Sequence, residues 1–539
     1  MPVRRRVPAA VRGAGYALAA ICLAVFAVTP ALAQKPGGTL KLFHRDSPAS
    51  ASIHEEATIS AVAPFSGVFN NLVRFKQDEK QNRPEFIEPE LAESWTWNSE
   101  FTRLSFKLHR GVKWHDGKPF TAADVKCTWD MLLGTSKDKL RLNPRKAWYR
   151  NLDEVVTEGD HAVTFVLKRP QPAFLMLLAP GFSPVYPCHV PAAEMRIKPI
   201  GTGPFKFAEF KRNEYIKLTK NTDYWRPGRP YLDGIEWRII PNRSTQTLAF
   251  IAGQFDMTFP YEQTIQTVKD IQSQAPTAIC EIDPTMIAFN FMVNRDNPPF
   301  NDPDLRKAMM LTIDRKSFLD ILSEGQGQIG GAMQSPPPGL WGLPIEILQT
   351  LPGYGPDVEA NRAEGRKLME KHGYGPNKRL AVKVATRNIA QYRDPAVILI
   401  DQLKHIYIDG ELEIVETANW FPKIARKDFM LAANLTGSGV DDPDAYFYEH
   451  YACGSERNYT NYCNPTLEKM YEQQSMEPDQ EKRKKIVWEI DKILTEDAAR
   501  PIAFRYNLGT CRYPQVKNVT TMVNSIFNGW RFENTWLDR

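Results

Sequence analysis

Residues 101–120 read FTRLSFKLHRGVKWHDGKPF, and the spacing of apolar residues here decides the kind of fold available to the chain. Leu104, Phe106 and Leu108 alternate with Ser105, Lys107 and His109, the period of a strand with one buried face. Gly111 and Gly117 follow as turn positions, and Thr121-Ala122-Ala123-Asp124 opens a helical stretch through Met131, with Thr121 placed to cap it. Val163, Phe165 and Leu167 repeat the strand alternation around Thr164 and Lys168. Strands and helices that alternate over such short distances predict a mixed α/β architecture. The strand-rich block from about Phe75 to Pro199 reads as a subdomain of its own.

The second half is more helical. Asp302-Pro303-Asp304 is a helix start, with an acidic N-cap, proline at the first helical position and a second acid near the helix dipole. Leu305, Met309 and Ile313 then share a face, Asp314 begins another helix, and Gly325 ends it. From Glu481, the residues Ile486, Ile490, Ile493 and Leu494 form an apolar stripe that Pro501 bars from continuing. Pro395 is read as the start of a helix buried through Leu399, Leu403 and Ile406, and Gln334 to Gly339 as a loop.

The chain has 539 residues, 42% hydrophobic and 24% charged, enough for two or three domains with cores of their own. Arg4, Arg5, Arg6 and Arg12 precede a short apolar run from Tyr16 to Val28, and Ala31-Leu32-Ala33 supplies an Ala-x-Ala cleavage site. Residues 1–33 therefore read as a secretion signal, too short in its apolar part for the ~20 residues of a membrane span. Ile21 before Cys22 disfavours a lipid anchor. Removing four arginines and no acid takes the formal net charge from +5 to +1, which gives no basic stripe for nucleic acid. Six cysteines remain: Cys127, Cys188, Cys280, Cys453, Cys463 and Cys511. An even count in an exported chain permits disulfides. Cys453 and Cys463 are close enough in sequence to pair, around a polar tract that suits an exposed stapled loop. The other four are left without assigned partners.

Catalytic motifs are missing. His54-Glu55-Glu56 lacks a second histidine, Gly437-Ser438-Gly439 has the wrong spacing for a nucleophile elbow, and Gly201-Thr202-Gly203-Pro204 lacks the third glycine of a dinucleotide fingerprint. The scattered histidines give no zinc pattern, and nothing calls for a cofactor or a metal. A secreted hydrolase using Asp441 and Asp442 is the alternative of another class.

Four segments, in order, resemble the family 5 solute-binding proteins, the oligopeptide, dipeptide and nickel receptors of ABC importers. They are Leu91-Ala92-Glu93-Ser94-Trp95 leading into residues 101–125; Gly201-Thr202-Gly203-Pro204-Phe205-Lys206-Phe207 with Asn221-Thr222-Asp223-Tyr224-Trp225; Asn301 to Ala308; and Asp442-Pro443-Asp444 followed by Cys453 and Cys463. Most of these residues read as scaffold, His109 and His115 included. The resemblance implies a type II periplasmic-binding-protein fold, with two lobes, an additional subdomain in lobe I and a hinged central cleft. It places lobe I at 34–76, 200–290 and 505–539, the extra subdomain at 77–199 and lobe II at 291–504, with crossings near Asn290 and Arg505. It also implies a monomer in the periplasm that captures a small peptide or related carboxylated solute and hands it to the permease subunits of an ABC importer. A receptor of the same fold for a sugar, opine, aromatic acid or metal chelate is the alternative cargo.

By the same resemblance, Arg387 stands where the dipeptide receptor's arginine forks the peptide carboxylate. The position of the amine-binding aspartate falls on Gly439, with Asp441 two residues later as its substitute. Glu56, Ala57 and Thr58 fall on the solute-contacting strip of lobe I, and Trp420 is placed to stack on a solute. The arginine of the nickel branch has no counterpart between Pro180 and Pro187.

Overall fold

The alternation at Leu104, Phe106 and Leu108 becomes strand Arg103–Leu108, whose apolar side chains are buried while Arg103, Ser105 and Lys107 are exposed. It lies second in a four-stranded antiparallel sheet, in the order Ala92–Trp97, Arg103–Leu108, Ala162–Leu167, Leu152–Thr157. Helix Ala122–Leu133 packs against it. Asp124 takes the backbone N–H of Thr121 at 2.9 Å and that of Cys188 at 2.9 Å, so one carboxylate caps the helix and anchors the next segment. The helix ends at Gly134, in the left-handed region. The computed structural model describes residues 34–332 and 334–539, and Lys35–Arg539 forms one body. The leader and cleavage site read at 1–33 lie outside the described residues.

Two further sheets carry most of the remaining strands. One has the order Thr39–His44, Gly234–Ile239, Tyr215–Lys220, Phe205–Lys211, with the first pair parallel and the others antiparallel. The other has five strands, in the order Ile408–Val415, Leu380–Arg387, Leu431–Thr436, Ile279–Val293, Ile502–Arg512. Its first three are parallel, and the last two join antiparallel. Strands Ile279–Val293 and Ile502–Arg512 are long enough to serve both sheets. Met257 bridges Arg512 to Leu42 of the four-stranded sheet. The register between the long strands breaks between Pro284 and Ala288.

Helix Pro303–Leu311 starts as its sequence predicts, with Asp302 accepting from the backbone of Asp304 at 2.8 Å and Leu305, Met309 and Ile313 buried. Pro395 does not start its helix. The helix runs Ala390–Leu403 with Pro395 inside. Proline removes the bond to the carbonyl four residues back, and that carbonyl, on Gln391, instead accepts from the Tyr506 hydroxyl at 3.1 Å. Among the described residues there are three disulfides, Cys127–Cys188, Cys280–Cys511 and Cys453–Cys463. The second joins register partners on the two long strands.

Gly201 and Gly203 bear no resemblance in space to a phosphate loop. They pass so close to residues 67 and 68 that a Cβ on Gly201 would sit 1.9 Å from the Val68 carbonyl oxygen, and one on Gly203 would sit 2.5 Å from that of Gly67. His115 lies in the same junction, its ring nitrogen 3.0 Å from the Gly203 carbonyl oxygen; burial lowers its pKa to about 4, so it packs as a neutral ring. Gly201→Ala is expected to cost about 3 kcal/mol through backbone overpacking, seen as a large fall in the urea midpoint, whereas Gly111→Ala meets no atom within 4 Å and costs only the strain of its positive φ.

Candidate functional site

A cavity of about 310 Å³ opens between the segment from Ala49 to Ala57 and the helix that starts at Thr417. Ala49, Glu56, Ala57 and Pro144 line one side; Thr417, Phe421, Arg457 and Tyr459 line the other. A narrow inner space of about 30 Å³ continues past Ala57, Phe421 and Arg457 to Thr58 and Gly437. Each wall is placed by local structure. Thr58 caps helix Ile59–Phe65 by accepting from the Ser60 backbone at 3.1 Å, which holds residues 56–58 extended along the wall. Thr417 and Phe421 project from helix Thr417–Ala425. Arg457 and Tyr459 lie inside the loop closed by Cys453–Cys463.

That loop is less exposed than its polar sequence suggests. Arg457, Asn458, Tyr459 and Thr460 are buried, leaving Gly454, Glu456 and Asn461 outside. Asn458 folds the loop inward by donating to the carbonyls of Ala452 and Tyr462 and accepting from the Tyr462 backbone. Arg457 pairs with buried Glu449.

Arg387 ends strand Leu380–Arg387 and is fully buried, its fork already occupied. Nη2 donates to Asp46 at 2.8 Å, Nη1 to the Tyr392 hydroxyl at 2.9 Å, and Nε lies 3.3 Å from Thr417 Oγ1. Thr417 also donates to Asp46 at 2.8 Å. Asp46 follows the first strand of the four-stranded sheet, so this ion pair ties the two sides of the cavity together. Burial pushes the Asp46 carboxyl up, but Arg387, helped by His44 and Arg45, overcomes that and holds its pKa at about 2. The carboxylate that Arg387 forks in this structure is therefore the protein's own.

Glu56 is the contrasting acid. It lines the cavity, accepts from Ser50 Oγ at 3.0 Å and has Arg141 at 3.9 Å. Burial raises its pKa to about 7 against these two groups. Ala57 lines both spaces, and Thr58 the inner one.

The remaining residues singled out from sequence lie elsewhere. Gly439 does not open backbone to the cavity: a Cβ there would lie 2.9 Å from both Phe182 and Trp148, and its carbonyl accepts from Ser525 Oγ at 2.9 Å. Asp441 is buried toward the C-terminal segment, accepting from the Leu340 backbone at 3.2 Å and from Asn524 at 3.3 Å. Burial raises its pKa to about 7. Asp442 caps helix Pro443–His450 and takes both forks of Arg483 at 2.7 and 2.8 Å, so the adjacent acids hold the fold rather than flank a space for a substrate. Trp420 is fully buried among Met292, Ala385, Val415 and Ile424, not on the cavity wall. Sequence reasoning passed over Asp46, Phe421 and Arg457. Only Arg457 carried a signal, as a charged residue in a disulfide-closed tract.

Comparison with known proteins agrees with this architecture. A model of the bacterial extracellular solute-binding proteins, family 5 Middle, matches residues 87–458. An oligopeptide-binding protein, AppA of Bacillus subtilis, is 28% identical over 454 residues, covering 80% of this chain and 79% of that protein. A probable di/tripeptide-binding protein of Pseudomonas aeruginosa is 24% identical over 529 residues, covering 89% and 94%. Among solved structures, Helicobacter pylori DppA with the peptide STSA aligns with a TM-score of 0.82 at 21% identity, covering 94% of this chain and 99% of that one. AgaA of Agrobacterium tumefaciens with agropinic acid aligns with a TM-score of 0.78 at 22% identity, covering 93% and 99%. The fold is that of the type II periplasmic binding proteins.

The Asp46–Arg387 pair sets an acid limit. A carboxylate whose pKa falls from 3.8 unfolded to about 2 folded contributes roughly 2 kcal/mol above pH 4, lost as the pH drops toward 2. Asp46→Asn should remove that part of the pH dependence of the melting temperature. It should also lower stability at pH 7 by about 3 kcal/mol, because Arg387 is left buried without its carboxylate.

Proposed function

The chain belongs to the bacterial extracellular solute-binding proteins, family 5, and from that membership we propose that it captures a small peptide or related carboxylated solute in the periplasm and delivers it to the permease of an ABC importer. The observation that carries this reading is the cavity of about 310 Å³ walled by Glu56, Ala57 and Pro144 on one side and by Thr417, Phe421 and Arg457 on the other. That volume lies at the low end for sites that enclose a small organic ligand, which suits a di- or tripeptide better than a long chain. Relatives named for oligopeptides and di/tripeptides, matched over most of their length, support the peptide class.

The two sheets then serve as the cores of the two lobes, and the interrupted ladder at 284–288 is the hinge. Closure is favoured only by contacts made in the closed state. The Asp46–Arg387 pair with Thr417 is one such contact, and solute bound between Glu56 and Arg457 adds the rest. Glu56 takes the role of amine acceptor that Gly439 cannot fill. Its carboxyl is on the wall, and an ammonium group at that distance from water would draw it into its charged form. Family membership favours binding without turnover. No helix of the described residues is long and apolar enough to cross a membrane.

A carboxylated solute without an amine is the second reading, favoured by the aromatic rings packed against Gly439 where the family places its aspartate. Calorimetry with matched peptides separates the two. Free-amine di- or tripeptides are expected to bind and raise the melting temperature, N-acetylated ones to bind at least tenfold more weakly, and Glu56→Gln to erase that difference. Equal affinity for free and acetylated forms would favour the amine-free solute. No binding of any peptide or carboxylated solute, with none released on unfolding and seen by mass spectrometry, would overturn the receptor reading for this class.

A further inference from the structure

Three arginines converge behind the inner cavity wall. Arg145, Arg457 and Arg500 are all buried, at 2%, 5% and 2% exposure, and one carboxylate, Glu449, contacts the group through Arg457. Arg500 is bonded to neutral acceptors, Asn290 Oδ1 at 2.8 Å, Thr436 Oγ1 at 2.7 Å and His450 Nδ1 at 3.3 Å. His450 adds no charge, because burial and the three arginines hold its pKa well below the ordinary value.

Arg145 is the least satisfied of the three. Nη1 donates to the Glu56 carbonyl, and the guanidinium carbon sits 3.3 Å from the centre of the Phe182 ring. Stacking covers one face of the guanidinium and leaves its edge. On that edge, Nε and Nη2 are buried without a partner among the described residues. Burial lowers the pKa of Arg145 to about 9, only partly offset by Glu449. A guanidinium desolvated without a carboxylate is costly, and so is the approach of a second one.

Arg145 and Arg457 come from opposite walls. Arg145 follows Pro144 on the Glu56 side, while Arg457 belongs to the disulfide loop on the Phe421 side and lines both the main cavity and its inner extension. Closing the cleft brings two cations together with too little negative charge between them. We propose that Arg145 and Arg457 form an anion subsite that receives a carboxylate of the solute, so that the cargo carries at least two carboxylates, in peptide form a di- or tripeptide with an Asp or Glu side chain. The anion supplies the acceptors that Nε and Nη2 of Arg145 lack and relieves the repulsion across the cleft, so closure depends on its presence. This rests on the receptor reading above and deepens it. Because Arg387 is taken by Asp46, the subsite uses Arg457 on the cavity wall and, behind it, Arg145, whose Nε and Nη2 have no partner among the described residues.

Calorimetry on the full mature protein decides it, using Ala-Glu-Ala, Ala-Gln-Ala and, as an amine-free dicarboxylate, glutarate. The wild type is expected to bind Ala-Glu-Ala at least tenfold more tightly than Ala-Gln-Ala, with the gap narrowing as salt rises. Arg145→Met should erase the preference for Ala-Glu-Ala over Ala-Gln-Ala; Arg145→Lys should restore part of it. If Arg145→Met fails to fold by circular dichroism, the wild-type comparison and Arg145→Lys carry the test. Equal or tighter binding of Ala-Gln-Ala by the wild type overturns the proposal while leaving a peptide receptor in place. Binding of glutarate alone, lost in the Arg145 variants, upholds the subsite and removes the peptide reading. Failure of all three ligands overturns the proposal.

Discussion

The antiparallel ladder between Ile279–Val293 and Ile502–Arg512 is the constraint on which the rest of the molecule hangs. One end belongs to the five-stranded sheet through Leu431–Thr436; the other reaches the four-stranded sheet through Met257 and is fastened by Cys280–Cys511. In between, the register breaks, and the freed backbone groups find other partners. Thr285 donates to the Tyr506 carbonyl at 2.9 Å, and Arg505 and Gln328 exchange backbone bonds at 2.7 and 3.1 Å. Buried backbone groups must be bonded, so this substitution lets the ladder bend without leaving orphans. The long strands belong to the five-stranded sheet and reach the other through the single bridging residue Met257, so the two sheets are linked without forming one continuous surface.

Charge organises the cavity at a second level. Asp46–Arg387 is a buried pair in which hydroxyls of Tyr392 and Thr417 join the Arg387 donors and the Asp46 Oδ2 acceptor, while Asp46 Oδ1 has no hydrogen-bond partner among the described residues. It joins the walls at the cost of occupying the arginine that the family resemblance offers to a ligand. Glu56 and Arg145 are the opposite case, one carboxyl and one guanidinium buried with few partners. In a low-dielectric site, unpaired groups of this kind are expensive, and a protein retains them where something else completes them. The difference between Arg387 and Arg145 is one of partners, since both arginines are buried.

Legibility from sequence divides along similar lines. Strand Arg103–Leu108, the cap at Thr121 and the helix opening at Asp302 were readable because each depends on neighbours a few residues away. Pro395 misleads for the same reason: locally it is a helix starter, but a hydroxyl from Tyr506, 111 positions along the chain, tolerates it inside. The Cys453–Cys463 tract reads as exposed from its polar composition, while Asn458 turns half of it inward by bonds that composition does not reveal. For the candidate site, residues 56–58 were reached by alignment to a strip of the fold, and the structure puts them on the cavity wall. Asp46 gave no signal at all, since its partner lies 341 residues away.

Sequence alone determined the class of this protein: an α/β chain with capped helices, one-faced strands and a set of ordered motifs specific to one receptor family. Such features rest on local periodicity and on residue types that tolerate few replacements, so they survive being read in one dimension. Tertiary structure alone decided which charges meet. It gave Arg387 a carboxylate from its own chain, placed Trp420 in the core, turned Asp442 into a helix cap held by Arg483, and left Arg145 with two unanswered donors beside Arg457. Electrostatic energy depends on separation and burial in space, and neither is written in the order of the residues.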